Sequence, residues 1–195
     1  MTTALDSKIF GPLFGDSEIN ELLTDGAYVR ALVEVEIALA RAEGRLGVIP
    51  TSAAEQISNR AHWNKIDITA LAKGAIRSGF PTIALVQELR KAVGGEVAPY
   101  VHWGATTQDI MDTAFVLQLR AAIKLYKGRL VELARHLCEL SNRHRVTVLA
   151  GRTHGQQALP VSFGLKAAGW LAPLLRHTRR VDEISPRVLV GQFGG

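Results

Sequence analysis

With 195 residues and a mass of 21.2 kDa, the chain has room for one domain or one and a half. A chain of this length buries roughly 70% of its unfolded surface, so a real hydrophobic core is expected. The 47% hydrophobic share, the 21% charged share and a mean hydropathy of +0.11 exclude a disordered tail and a collagen-like repeat. The charge-free run at residues 167–175 falls far short of the roughly 18 apolar residues of a bilayer crossing, so no membrane partner is expected. Residues 1–8 lack a basic stretch followed by an apolar one, and the single Cys138 has no partner for an internal disulfide. Together these features predict a cytoplasmic protein. The net charge of +5 and a pI near 9.7 suit an anionic partner. Nucleic acid is not expected, because Arg143, Arg145, Arg152, Arg176, Arg179 and Arg180 have only Phe163 and Trp170 interleaved among them.

The periodicity is helical nearly throughout, which predicts an all-α fold. Ser17 is placed to cap a short first helix, and Thr24, Asp25 and Gly26 interrupt it. Residues 27–46 carry Val29, Leu32, Val33, Val35, Ile37, Leu39 and Ala40 on a broad apolar stripe, stopped by Gly47 and Pro50. Ser52 and Glu55 have the spacing of a capping box, and Asp67 precedes a helix ending at Gly79. Pro81 opens another, ended by Gly94 and Gly95 near Val93. From Thr107 to Arg143 there is no proline, and apolar residues recur at Ile110, Ala114, Leu117, Ala121, Leu125, Leu133, Leu137 and Leu140. One helix of that length spans roughly 55 Å, against a diameter of about 42 Å for a compact globule of this size. A further helix is predicted from just after Pro160 to about Ile184, bent at Pro173 and closed before Pro186. Its Leu165, Gly169, Ala172, Leu174 and Leu175 also need covering, which predicts burial against other subunits or further sequence. The expected division is an N-terminal helical domain at 1–105 and the first long helices of a central bundle at 106–195. The closing segment, residues 189–195, reads as a loop cut short.

Dinucleotide, phosphate-loop and nucleophile-elbow signatures are absent, as is any cysteine pair. His136 and His144 are expected on one long helix, eight residues apart and off a common face, so no metal site is predicted. His62 and His177 read as surface or helix-terminal residues. The other two histidines sit in denser company. His102 lies in Tyr100-Val101-His102-Trp103-Gly104-Ala105-Thr106-Thr107-Gln108-Asp109, at the start of the longest helix, where backbone N–H groups and the hydroxyls of Thr106 and Thr107 suit a carboxylate. His154 lies in Gly151-Arg152-Thr153-His154-Gly155-Gln156-Gln157, in the connection between the two long helices. On residue types alone, each stretch reads either as a binding loop or as a polar loop with cap residues.

The pair H-x-G-A-T-[ST]-x-D and G-R-T-H-x-Q, about fifty residues apart and flanking a long helix, resembles the fumarase/aspartase superfamily over essentially the whole chain. The form of Val101–Ile110, with Leu13-Phe14-Gly15-Asp16 and Leu32-Val33-Glu34-Val35-Glu36, is most similar to its cycloisomerising branch. An adenylosuccinate-cleaving branch is the competitor, but its histidine is missing where this chain reads Gly79-Phe80-Pro81-Thr82-Ile83. The resemblance implies an all-α chain of three domains, a homotetramer of bundled central helices, and active sites combining stretches from three subunits. It implies addition or elimination beside a carboxylate of a small polycarboxylate, with no cofactor. On the matching positions it implies His154 as acid/base or polarising group. Thr106, Thr107 and Thr153 would hydrogen-bond carboxylates, Arg152 and Gln157 would orient or neutralise the substrate, and His102 would bind or support it. A third family signature, roughly G-S-S-x-M-P-x-K-x-N-P, supplies a serine base and a lysine and occurs nowhere in these 195 residues. The chain is therefore expected to be an N-terminal portion with little or no turnover alone, or a non-catalytic oligomerising helical module.

Overall fold

The computed structural model describes residues 3–4 and 7–195; Met1, Thr2, Leu5 and Asp6, part of the N-terminal stretch weighed above for a leader, lie outside them. Helices dominate, with one two-stranded sheet, so the fold is all-α as expected. In chain order come α1 (Gly11–Phe14), α2 (Ser17–Leu22), α3 (Asp25–Leu46), α4 (Thr51–Arg60), α5 (Ile68–Ser78), α6 (Thr82–Val93) and α7 (Thr107–Arg143). The antiparallel strands β1 (Val148–Thr153) and β2 (Gln156–Ser162) follow, then α8 (Phe163–Val188), while short 3-10 turns occupy Trp63–Lys65 and Gly95–Tyr100.

The chain forms two compact units, Met1–Ala122 with Leu189–Gly195, and Ile123–Val188. In the first, α3 supplies the central stripe. Val29, Leu32 and Val33 are buried with Ile57 of α4, Leu85 and Leu89 of α6, and Ile110 of α7. Each such side chain contributes about 1.5–3 kcal/mol on burial. Two helix pairs approach closely through glycine. A Cβ on Gly44 would stand 2.5 Å from the Ala54 Cβ, and one on Gly74 would stand 2.4 Å from the Ala84 Cβ.

In the second unit the later part of α7 and α8 run antiparallel, as the pairings of Ser141 Oγ with the Gly164 carbonyl and of Lys127 with Asp182 require. Gly164 is buried where the helices meet, and an added Cβ would lie 2.5 Å from the Ser141 carbonyl oxygen. The Gly164 N–H donates to His144 O, Phe163 N–H donates to Thr147 O, and the Phe163 ring meets His144 and Trp170 edge-on. These contacts clamp both ends of the β1–β2 hairpin to the helices.

Several local expectations are corrected. Asp16, not Ser17, caps α2, its Oδ1 accepting from the Ile19 N–H at 3.0 Å. The helix expected from Ala27 starts at Asp25, because the Thr24 hydroxyl accepts from the Ala27 N–H. The Ser52/Glu55 capping box does not form: α4 begins one residue earlier, at Thr51, so Ser52 is already inside it. His144 lies just beyond α7 rather than on it. The stretch read as a plain connection is the β1–β2 hairpin, and α8 continues through Pro173 and Pro186 to Val188 instead of closing near Ile184. The carbonyl that Pro173 leaves without an amide partner belongs to Gly169, an exposed residue with no side chain to keep water away.

Candidate active site

His102 sits in the tight loop between the 3-10 turn and α7, and three elements fix it. Arg90 of α6 donates from Nη2 to the Val101 carbonyl at 3.1 Å, the Tyr100 and Trp103 rings stack at a tilt 5.9 Å apart, and Val101 is buried. The imidazole Nδ1 lies 2.7 Å from Oε1 of Glu36, a carboxylate on the buried face of α3. A second buried glutamate, Glu43, lies two turns further along the same helix. Burial, reinforced by the nearby Glu36 charge and opposed by His102, pushes the Glu43 carboxyl above the usual glutamate range.

The start of α7 is closed by Asp109, which the sequence reading passed over. Its Oδ2 accepts from both the backbone N–H and the hydroxyl of Thr106, at 2.8 and 3.0 Å, and its Oδ1 accepts from the Gly195 N–H at 2.9 Å. Asp109 thus returns to the residue before the helix, which is one half of a capping box. Burial raises its carboxyl, but the N–H groups of Gly195 and Thr106 outweigh it and hold the group below the usual aspartate range. The Thr106 hydroxyl therefore spends its proton on Asp109 and keeps its oxygen as an acceptor. Thr107 opens α7 and is partly exposed.

In the second unit Arg152 pairs across the hairpin with Gln157, and Thr153 with Gln156. His154 and Gly155 form the two-residue turn, with φ of 46° and 73°, as a turn of the I′ class requires. Between Ala150↔Pro160 and Arg152↔Gln157, Gly151 faces both Leu159 and Ala158, a bulge on β2. A Cβ on Gly151 would lie 2.5 Å from the Leu159 carbonyl oxygen, so only glycine fits. The hairpin end is open to solvent: Arg152, Thr153, His154 and Gln157 are all exposed. His102, Thr106 and Thr107 thus belong to the first unit, and Arg152, Thr153, His154 and Gln157 to the second.

One backbone feature singles out both motifs. Among the described residues, the non-glycine positions with positive φ are His102 (64°) and His154 (46°). Left-handed backbone at a residue with a Cβ costs about 1–2 kcal/mol, and such strain collects at functional sites. Among the described residues no cluster of three or more metal-ligating side chains occurs. A surface groove of about 670 Å³ lined by α3 and α4 residues, including Arg41, Arg45 and Ser58, contains none of the motif residues.

Residues 15–195 match the lyase family. The chain is 43% identical to N-acetyl-S-(2-succino)cysteine lyase of Dickeya dadantii, covering 98% of this chain and 42% of that protein. It is 41% identical to 3-carboxy-cis,cis-muconate cycloisomerase of Pseudomonas aeruginosa, covering 97% of this chain and 42% of that protein. The crystal structure of β-carboxy-cis,cis-muconate cycloisomerase from Acinetobacter calcoaceticus sp. ADP1 superposes with a TM-score of 0.93 at 39% identity, over 96% of this chain and 45% of that one. The chain spans less than half the length of these relatives. With a family match from Gly15 onward and relatives this similar over nearly its whole length, the chain belongs to the lyase family of the fumarase/aspartase superfamily.

Proposed function

We propose that the whole protein is a homotetrameric 3-carboxy-cis,cis-muconate cycloisomerase of aromatic (protocatechuate) catabolism, and that this chain carries two of the stretches that build its active site. In that reaction a substrate carboxylate oxygen bonds to a double-bond carbon while a proton is added to the neighbouring carbon, giving a γ-lactone with no atom lost. The intermediate is enolate-like, so the site needs donors for carboxylate charge and a group that exchanges a proton near neutral pH. His154 is the acid/base or polarising group at the oxygen side. Arg152 and Gln157, paired across β1 and β2, orient and neutralise a carboxylate. Thr107 and Thr153 each donate a hydroxyl hydrogen bond to a substrate carboxylate, and Thr106, whose hydroxyl and N–H both donate to Asp109, holds the α7 start in shape to receive one. The observation carrying this reading is the joint strain: both motif histidines hold left-handed backbone.

A second reading has its own support, because the succinocysteine lyase of Dickeya dadantii matches slightly better by identity. In that case the same groups would assist elimination beside a carboxylate. The test is a spectrophotometric assay of the whole protein on 3-carboxy-cis,cis-muconate, N-acetyl-S-(2-succino)cysteine and adenylosuccinate. The muconate is expected to be the preferred substrate by kcat/KM. His154→Asn, which keeps a residue tolerant of positive φ in the turn, is expected to lower kcat by about 10²- to 10⁴-fold with the fold intact. Preferred turnover of either other substrate would refute the cycloisomerase assignment, and an unimpaired His154→Asn variant would remove His154 from the chemistry.

A further inference from the structure

The buried face of α3 carries Val29, Leu32 and Val33, then Glu36, Ala40 and Glu43. Glutamates at two stripe positions are a poor choice for stability, because a leucine would fill either without desolvating a charge. Glu36 is 2% exposed and Glu43 7%, and Oε2 of each has no hydrogen-bond partner among the described residues. Both carboxylates face the His102 loop. Glu36 Oε1 holds His102 Nδ1 at 2.7 Å, and Glu43 Oε1 would lie 3.9 Å from a Cβ on Gly104. His102 and Gly104 both have positive φ, 64° and 65°. Buried acids without full partners and a strained loop therefore meet at one place, a conflict with folding preference of the kind that marks functional sites.

We propose that Glu36 is a positioning residue for His102 and turns the imidazole Nε2 toward a carboxylate of the substrate. The inference rests on the reading above in which this loop receives a polycarboxylate. With Nδ1 committed to Glu36, the ring keeps its proton on that side and presents Nε2 on the other. The His102 side chain is 17% exposed, against 1% for Glu36, so the acid is covered and the ring reaches the surface. Arrival of an anion at Nε2 favours a proton there, and the Glu36 carboxylate stabilises the resulting imidazolium through a charge-assisted hydrogen bond. Two buried carboxylates side by side would repel. Burial and the Glu36 charge raise the Glu43 carboxyl, which eases that repulsion by favouring its protonated form. Glu36 acts only through His102.

The test uses the whole protein with histidine-selective ¹⁵N labelling, His102 assigned through His102→Gln, and tricarballylate as an unreactive polycarboxylate probe. Wild type is expected to show His102 protonated at Nδ1, gaining a proton at Nε2 as the probe binds. In Glu36→Gln the tautomer preference is expected to weaken, and probe affinity to fall by about 10- to 100-fold. Glu36→Asp should recover part of it. On the preferred substrate, KM is expected to rise more than kcat falls. An unchanged His102 tautomer and unchanged probe affinity in Glu36→Gln, with its melting temperature retained, would overturn the proposal. If Glu36→Gln unfolds, the wild-type tautomer decides: a His102 protonated at Nε2 rather than at Nδ1 in the free protein overturns the proposal. Because tautomer and probe binding are read without turnover, a protein that rejects the muconate yet shows the Glu36 effect sinks the cycloisomerase assignment alone.

Discussion

Two buried carboxylates, Glu43 and Asp109, differ in what surrounds them, and their effects on stability have opposite sign. The Asp109 oxygens receive the N–H groups of Thr106 and Gly195 and the Thr106 hydroxyl, so the folded chain favours its charged form. Its contribution is present above the ordinary aspartate value of 3.8 and is lost as pH falls through the lower folded value. Glu43 is raised by burial and by Glu36, so the folded chain favours its neutral form. Its contribution is complete below the ordinary glutamate value of 4.5 and is lost as pH rises through the higher folded value. Glu43→Gln keeps the shape and fixes the neutral state. Urea unfolding at a series of pH values is expected to show wild type losing stability relative to Glu43→Gln as pH climbs from about 4.5 toward 8. A constant difference across that range would show that Glu43 does not titrate differently in the folded state.

At the scale of elements, the helix pairs depend on side chains that are absent. Gly74→Ala would drive a methyl to 2.4 Å from the Ala84 Cβ, forcing α5 and α6 apart, at a cost of about 1–3 kcal/mol. Ala84→Gly in the same chain removes the opposing methyl and is expected to restore most of the loss, as measured by denaturant midpoints of the single and double variants. Gly44 and Ala54 play the same part between α3 and α4. Such contacts cannot be read from the sequence, since a glycine within a helix looks the same whether it faces water or a neighbour. What could be read followed from spacing. The uninterrupted pattern after Thr107 located α7 at both ends, and Gly47, Gly79 and Gly94 marked the ends of α3, α5 and α6. The β1–β2 hairpin lies in the stretch that reads in the sequence as a connection between the two long helices, although His154-Gly155 between two extended segments is a hairpin signal. Both motif loops were legible as residue sets, but the acids behind one of them were not. Glu36 and Glu43 fall in the apolar phase of α3, and that misplacement was the available clue.

For the whole molecule, the exposed apolar surface decides what the chain does in solution. In the second unit Val131, Leu133, Leu165, Trp170, Leu175 and Ile184 are all between 46% and 63% exposed. α7 and α8 thus each carry large apolar side chains that nothing within that unit covers, and a soluble protein rarely leaves such helices bare. Covering them with like helices from other copies gives the bundle that the tetramer proposal requires. The ion pair Lys127–Asp182 is largely exposed and contributes little to holding α7 and α8 together, so association rests on the apolar residues. The 195-residue chain is therefore expected to self-associate, with a sedimentation-equilibrium mass above 21.2 kDa at micromolar concentration. Replacing Val131, Leu165 and Leu175 together with Lys should lower that mass toward one chain while leaving helical circular dichroism unchanged, since all three are exposed and their positions in α7 and α8 tolerate lysine. A wild-type chain that stays monomeric at that concentration would mean these helix faces do not drive assembly.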